Sequence, residues 1–287
     1  MSDRAGSDVT RAAAWVRSLV QACVGHGRYR PSDLLSWLVD KILQGFGLPA
    51  DAPPDDVVGW LREQHLAYAC AVSQHPFEDL LGNVYEELAS RGHRGALGQF
   101  FSPSSIGELM SSILGGMEAA HATMQQRSDR EDLVRVCEPA CGSGALLLSF
   151  MRSAVAACGR SALESYSFTA IDLDRLCARI CAAQILVNMH IHEHSVGELV
   201  VYHGDALDDP ASLKVVIHAS IRSLRPDLVL PALHPSRVAA LRDASASQPS
   251  RDESMKSMKT VGASRRVARG RMVEADDEPD LFSTERG

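Results

Sequence analysis

Glycines and carboxylates follow three apolar segments of this chain, at positions where a nucleotide-like ligand could bind. Gly142 and Gly144 lie between the apolar run DLVRVC and a helical stretch that begins at Ala145. Glycine lets the backbone turn tightly and approach a ligand, and the first turn of a helix offers free N–H groups to a carboxylate or phosphate. The same glycines also fit a plain strand-to-helix turn, so the pair alone is weak evidence for a site.

Two aspartates favour the ligand interpretation. Asp172 ends the second apolar segment, SFTAID, where a carboxylate can accept two hydrogen bonds from a ribose diol. Asp174 is better placed to cap the helix that follows. Asp205 comes after the third segment, ELVVYHG, and could accept a hydrogen bond from the exocyclic amine of an adenine. Three segment ends therefore predict a site for one adenosine-containing ligand.

Parallel strands would bring these residues together. From about residue 133, short apolar runs alternate with helical stretches, and a fourth run, DLVL, occupies residues 227–230. This alternation is typical of a parallel, doubly wound α/β sheet, which binds ligands at the carboxyl ends of its strands. If this fourth strand ends the sheet, its edge is open, and segment 211–225, which is more apolar than a connecting loop requires, is the best candidate in the chain to cover it.

The rest of the chain divides into a helical part and a polar part. Residues 8 to about 92 place apolar residues at helical spacing, with breaks at GHGRYRPS and GLPADAPPDD and with Ser32 and Asp55 as candidate helix caps. Beyond about 243 the chain is rich in serine and charge. The predicted domains are a helical N-terminal module at 1–92, an α/β domain at 93–242 and a disordered charged tail at 243–287.

Composition excludes several classes of protein. With 45% hydrophobic and 23% charged residues and a net charge of −7, the chain is typical of a soluble globular protein. It has no apolar run long enough to span a membrane and no signal-peptide pattern, so we expect a cytoplasmic location and no membrane partner. The seven scattered cysteines predict free thiols. A polar loop explains the alternating His190, His192 and His194 better than a metal site does, and no metal is predicted.

A second motif lies upstream, Gly98-Gln99-Phe100-Phe101-Ser102-Pro103. Ser102 and Pro103 fit a helix start, but two adjacent phenylalanines are harder to explain as core alone. Together with Glu138-Pro139-Ala140-Cys141-Gly142-Ser143-Gly144 about 35 residues later, the motif resembles those of the adenine-N6 DNA methyltransferases, most closely the modification subunits of type I restriction systems. The segment DLLGNVYE at 79–86 and the helix ending LVNMH at 186–190 extend the resemblance, which covers about residues 76–230.

The resemblance implies a Rossmann-like methyltransferase sheet, S-adenosyl-L-methionine as cofactor and DNA as substrate. Residues 99–103 would close over the methionine moiety. The methionine end and the ribose side would be held by Glu138, Gly142, Ser143 and Gly144, the ribose by Asp172 and the adenine by Asp205. The positions that match the family's cofactor motifs are Gln99, Phe100, Phe101, Ser102, Pro103, Glu138, Gly142, Ser143, Gly144, Asp172 and Asp205. Ser102 stands where the family usually has threonine, which keeps the hydroxyl.

The family's catalytic motif, Asn-Pro-Pro followed by an aromatic residue, is missing after the fourth predicted strand. Alignment from Asp227 fills the slot with Pro231, Ala232, Leu233, His234 and Pro235. Methylation of adenine N6 needs an acceptor for the amine hydrogens and an aromatic ring that stacks on the flipped base. Ala232 has no acceptor, so no catalytic residue is assigned.

The family's sheet normally continues with three more strands, whereas only about 50 residues follow here. The sequence therefore predicts an incomplete sheet, either in a truncated descendant or in a chain whose sheet a partner polypeptide completes. A specificity subunit is a further candidate partner. We expect the isolated chain to be inactive. An S-adenosylmethionine-binding regulatory or partner-binding protein and a degenerate fragment are the alternatives that stay open.

Overall fold

The computed structural model describes residues 2–91 and 133–220, which belong to one compact unit, and the side chains from residue 12 to 90 and from 133 to 220. The Gly98–Pro103 motif, the predicted strand at 227–230, the slot at 231–235 and the tail from 243 lie outside the described residues. What the sequence predicts for them, and the domain boundaries, stay predictions.

Four helices form the first described range: α1 (Ser2–Gly25), α2 (Pro31–Gln44), α3 (Val58–Gln74) and α4 (Leu80–Arg91). The predicted caps are wrong. Arg30 precedes α2 in an extended conformation, and Pro31 opens the helix one residue before Ser32, because its fixed φ suits the first helical position. Asp55 begins a short 3₁₀ turn, Asp55–Val57, which leads into α3 without a side-chain cap.

One sheet contains the strands β1 (Val134–Glu138), β2 (Tyr166–Asp172), β3 (Glu198–His203) and β4 (Lys214–Ser220), in that order. Helix α5 (Ala145–Cys158) joins β1 to β2, and α6 (Arg175–Ile191) joins β2 to β3. The first three strands are parallel, as the alternation of strands and helices predicts. Their carboxyl ends therefore meet at one edge of the sheet, which we call the carboxyl edge.

Strand β4 corrects the predicted topology. Residues 214–220, which the sequence analysis treats as part of a covering segment, form a strand that pairs antiparallel with β3. The prediction that segment 211–225 covers the edge of the strand at 227–230 lies outside the described residues and stays a prediction. Only residues 204–213 connect β3 to β4, and a parallel neighbour needs a crossover of a dozen or more residues. The sheet is consequently mixed rather than wholly parallel. Among the described residues, no strand pairs with the outer side of β1.

Helix α6 lies between the sheet and the N-terminal helices. It contacts β2, β3 and β4 on one side and α2, α3 and α4 on the other, and most of its residues are buried. Two polar residues in it, Gln184 and Asn188, are fully buried. A buried amide side chain destabilises the fold unless it is hydrogen-bonded. Both side chains find their partners in segment 77–82 and its surroundings, which fixes that segment against α6.

Other sequence predictions can be compared directly with the coordinates. All seven cysteines fall within the described residues and are free thiols, as predicted. His190 belongs to α6 and His192 follows its last residue, so the three alternating histidines do not form one extended segment. No helix in residues 2–91 or 133–220 has the length and apolar character to cross a membrane.

Candidate functional site

Asp172 lies at the centre of the carboxyl edge. Its Oδ2 accepts a hydrogen bond from the Gly142 N–H at 2.7 Å, and its Oδ1 accepts one from the Asp174 N–H at 2.8 Å. Its main-chain carbonyl accepts from the Gly204 N–H at 2.9 Å. This one residue therefore holds together the loops that follow β1, β2 and β3, and it remains 9% exposed.

The loop after β1 makes the tight turn that the glycines predict. Gly142 and Gly144 have φ values of +52° and +92°, which favour glycine because it has no Cβ. The Cys141 N–H donates to the Ile171 carbonyl at 2.8 Å and ties the loop to the end of β2. A Cβ at position 144 would lie 2.8 Å from Cys181 Sγ on α6. The prediction of a tight glycine turn is confirmed.

Ser143 faces the interior of the protein. It is fully buried, its Oγ donates to Asp79 Oδ2 at 2.6 Å, and its carbonyl accepts from Gln184 Nε2 at 3.0 Å. The hydroxyl is thus committed to an internal carboxylate. The cofactor-binding role that the sequence gives Ser143 stays a prediction, and its side chain fixes the position of the loop.

Asp79 and Gln184 have roles that the sequence analysis did not assign. Asp79 Oδ1 accepts from Gln184 Nε2 at 2.7 Å and from the Gly82 N–H at 3.0 Å, while Gln184 Oε1 accepts from the Leu81 N–H at 3.0 Å. Burial raises the pKa of Asp79, although the hydrogen bonds from Ser143, Gln184 and Gly82 act to lower it. Segment 79–86 contributed to the family resemblance, but only the fold shows what Asp79 contacts.

The backbone of segment 77–82 is fixed on both sides of Asp79. Asn188 Oδ1 accepts from the Phe77 N–H at 2.6 Å, and Phe77 has a φ of 58°, unusual for a residue other than glycine. A Cβ at Gly82 would collide with the Asp79 carboxylate and with Ser143 Oγ. Glycine at 82 is therefore needed for the close approach of α4 to the loop after β1.

Tyr85 of α4 contacts the loop after β2. Its Oη donates to Asp174 Oδ2 at 3.0 Å. The other oxygen of Asp174 accepts from the Leu176 and Cys177 N–H groups, at 2.7 and 3.4 Å, which confirms the prediction that Asp174 caps the helix. Burial raises the pKa of Tyr85, and nearby Cys177 and Asp174 act in the same direction.

Glu138 and Asp205 complete the described part of the predicted site. Glu138 ends β1, its Oε1 accepts from the Ala140 N–H at 3.3 Å, and burial raises its pKa. Asp205 follows β3, and its Oδ1 accepts from the Leu207 N–H at 2.9 Å. Leu207 and Leu173 are 94% and 70% exposed, the highest values among the large apolar residues described. Leu173 directly follows Asp172, and Leu207 lies two residues after Asp205. An exposed apolar side chain next to an acceptor carboxylate can bind a flat ring that has hydrogen-bond donors at its edge.

Comparison with known proteins identifies the family. Residues 77–221, half of the chain, match the family model described as N-6 DNA Methylase. The chain belongs to this family. The family resemblance in the sequence is thereby confirmed, whereas the likeness to type I modification subunits stays a prediction. No curated protein matches this chain.

One solved structure is similar to this chain. It is a putative class I S-adenosylmethionine-dependent methyltransferase from Listeria monocytogenes, with 13% sequence identity and a TM-score of 0.42. The match covers 69% of this chain and 55% of that chain. The chain therefore spans about half the length of the solved structure that it matches.

Membership of this family makes S-adenosyl-L-methionine the cofactor, and the residues present fit it. Each Asp172 oxygen accepts one backbone N–H, and a carboxylate offers about four acceptor positions, so capacity remains for ribose hydroxyls. Among the described residues, the second carboxylate oxygen of Asp205 has no donor. The turn at Gly142 and Gly144 carries no Cβ that would block a ligand's approach.

Proposed function

We propose that this chain binds S-adenosylmethionine at the carboxyl edge of its sheet, and that adenine N6 in DNA is the substrate of its family's reaction. The observation that carries the proposal is the meeting of three loops at Asp172. In parallel α/β sheets ligands bind outside the carboxyl ends of the strands, where such loops converge. A cytoplasmic location, where DNA and this cofactor are both present, accords with the proposal.

Each part of the cofactor has a matching group in the proposed site. Asp172 accepts hydrogen bonds from the ribose hydroxyls, and Asp205 accepts one from the adenine amine. Leu173 and Leu207, which are exposed beside these carboxylates, contact the faces of the base. The glycine loop and Glu138 lie toward the methionine end, where a carboxylate complements the ligand's ammonium group. When bound, the cofactor supplies a methyl group on a positively charged sulfur.

Residues outside the described ranges would complete the site. Gln99, Phe100, Phe101, Ser102 and Pro103 match the motif that closes over the methionine moiety, and α4 ends at Arg91, seven residues before that motif begins. The described fold therefore anchors the chain shortly before the motif. Their contact with the cofactor is part of the proposal.

For the isolated chain we propose cofactor binding without methyl transfer. Ala232 occupies the position where the family has asparagine, and it cannot accept a hydrogen bond from the adenine amine. Loss of one preorganised polar group from such a site commonly lowers kcat by about 100- to 1000-fold. In addition, Pro235 occupies the position of the aromatic residue that stacks on the base. A partner polypeptide that supplies both groups would restore transfer, and a specificity subunit would direct it to a DNA sequence.

Calorimetry with paired aspartate variants tests cofactor binding. Asp205→Ala should weaken S-adenosylmethionine binding by about 5- to 150-fold, since a hydrogen bond to a charged acceptor is worth roughly 1–3 kcal/mol. Asp208→Ala is the matched control, because Asp208 is exposed in the same connection between β3 and β4. Equal affinities of the two variants would contradict the assignment of Asp205.

A transfer assay tests the catalytic half of the proposal. With radiolabelled methyl groups and unmethylated DNA, the purified chain should incorporate no label above background. Clear incorporation into adenine would show that the slot is misaligned and that another residue provides the acceptor.

A further inference from the structure

Helix α4 reaches both loops that meet at Asp172. Asp79, just before the helix, contacts the loop after β1 through Ser143, and Tyr85 contacts the loop after β2 through Asp174. We propose that Asp79 and Tyr85 are positioning residues, which hold the two cofactor loops in their binding arrangement from α4. The inference rests on the proposed function, because it concerns the same cofactor site.

The contacts form a closed ring. Ser143 adjoins Gly142, whose N–H donates to Asp172 Oδ2, and Asp172 Oδ1 accepts from the Asp174 N–H. Asp79 and Tyr85 then connect the two ends of this path through α4. Each loop is hydrogen-bonded both to Asp79 or Tyr85 and, through Asp172, to the other loop. Neither loop can therefore move away without breaking both kinds of hydrogen bond. The loops are thus ordered during folding, and ordering them adds little to the entropic cost of binding.

The segment that carries these two residues, the start of α4 and the residues just before it, is itself fixed. Gln184 and Asn188 of α6 hold the backbone at Leu81 and Phe77, and both amide side chains are fully buried. At Gly82 the backbone approaches Ser143 too closely for any Cβ. Segment 77–85 therefore has a defined position from which to hold the loops.

Asp79 does more than cap the helix. A cap needs one acceptor for the Gly82 N–H, which serine or asparagine would provide without a negative charge. Asp79 also accepts from Ser143 and Gln184, which lie 64 and 105 residues further along the chain. Burial of its carboxyl, which raises the pKa, disfavours the charged form. A carboxylate at position 79 is explained by its additional hydrogen bond from Ser143 Oγ, because its two oxygens can accept from Ser143, Gln184 and Gly82 together.

The experiment compares Tyr85→Phe with Tyr29→Phe in the full chain. Both changes remove one phenol-to-aspartate hydrogen bond, and the Tyr29 bond to Asp56, at 2.9 Å, lies among the N-terminal helices on the surface. Hydrogen exchange without cofactor is measured at residues 172–178, and the dissociation constant of S-adenosylhomocysteine is measured by calorimetry. We expect Tyr85→Phe to speed exchange there and to raise the dissociation constant about 3- to 10-fold. Tyr29→Phe should change neither quantity.

Ser143→Ala and Asp79→Asn test the other contact. Both should speed exchange at residues 141–148 and weaken S-adenosylhomocysteine binding by about 3-fold or more, since the donor or the charge of that contact is lost. Ser143→Ala keeps the test valid if Asp79→Asn does not fold. Asp40→Asn is the control for general destabilisation, because Asp40 of α2 binds Arg179 of α6 and makes no hydrogen bond to either loop. It should lower the melting temperature without changing exchange at 141–148 beyond that of the whole protein.

The two proposals fail separately. If the wild-type chain does not bind S-adenosylhomocysteine, the proposed function is wrong, while the exchange data still show whether α4 orders the loops. If the wild type binds and the Tyr85 and Ser143 variants match their controls in both exchange and affinity, α4 does not position the loops and the inference is overturned.

Discussion

Replacing Gln184 by leucine should be among the most damaging single changes in the described fold. The leucine side chain has a similar size, so packing in α6 is largely kept and the loss is one of hydrogen bonds. Gln184 donates to Asp79 Oδ1 at 2.7 Å and to the Ser143 carbonyl at 3.0 Å, and accepts from the Leu81 N–H at 3.0 Å. All three bonds disappear in the variant.

The cost follows from the groups left without partners. The Leu81 N–H and the Ser143 carbonyl are backbone groups in a buried place, and each costs about 1–3 kcal/mol when unsatisfied. Asp79 keeps two of its three donors and adds less. The total is about 2–6 kcal/mol, a large part of the stability of an ordinary domain.

Equilibrium urea denaturation measures this loss. The Gln184→Leu midpoint should fall far below that of the wild type with an unchanged slope, because the surface exposed on unfolding is the same. Gln21→Leu, on an exposed position of α1, is the matched control and should stay within about 0.5 kcal/mol of the wild type. If the two leucine variants unfolded at the same urea concentration, the buried network would not support the fold as described.

Three further predictions concern other parts of the fold. Gly144→Ala should lower both the melting temperature and the cofactor affinity, because its Cβ would lie 2.8 Å from Cys181 Sγ in a backbone with a φ of +92°; an unchanged melting curve would contradict this. Burial lowers the pKa of His65 from 6.5 to about 4, so the folded state favours the neutral imidazole. The stability that the neutral His65 contributes is complete above pH 6.5 and is lost as the pH falls through about 4. His65→Leu should therefore lose less stability between pH 7 and pH 4.5 than the wild type, and equal losses in urea midpoint would refute the reasoning. Asp40→Ala should destabilise by about 3 kcal/mol, since it leaves the mostly buried Arg179 without its partner at 2.7 Å, and a change under 1 kcal/mol in the same assay would be inconsistent with that ion pair.

Local patterns in the sequence were enough to locate the first three strands and the turn between β1 and α5. Each strand is a short apolar run that ends in a glycine or a carboxylate, and each of the first two leads into a helix, so direction and order follow from chain connectivity. Asp174 could be recognised as a cap because a cap contacts N–H groups two and three residues away. The positions of Gly142 and Asp172 at one edge follow from the same parallel arrangement.

Long-range contacts could not be predicted in this way. The direction of β4 depends on which strand it pairs with, and the apolar run at 214–220 fits either a strand or a covering segment. The partners of Asp79 lie 64 and 105 residues away, so neither its burial nor its contact with Ser143 has a local signal. The hydrogen bond from the Ser143 hydroxyl to Asp79 likewise depends on the packing of α4 against the glycine loop, which no local pattern predicts.

The central claim, that the carboxyl edge around Asp172 binds S-adenosylmethionine, is tested most directly by titration calorimetry of the wild type and of Asp172→Ala. The wild type should bind with a dissociation constant on the order of micromolar, which corresponds to about 8 kcal/mol. Asp172→Ala should bind about 5- to 150-fold more weakly, because it loses roughly 1–3 kcal/mol of hydrogen bonding to a charged acceptor. No heat from the wild type at millimolar ligand, or the same affinity in both proteins, would contradict the claim.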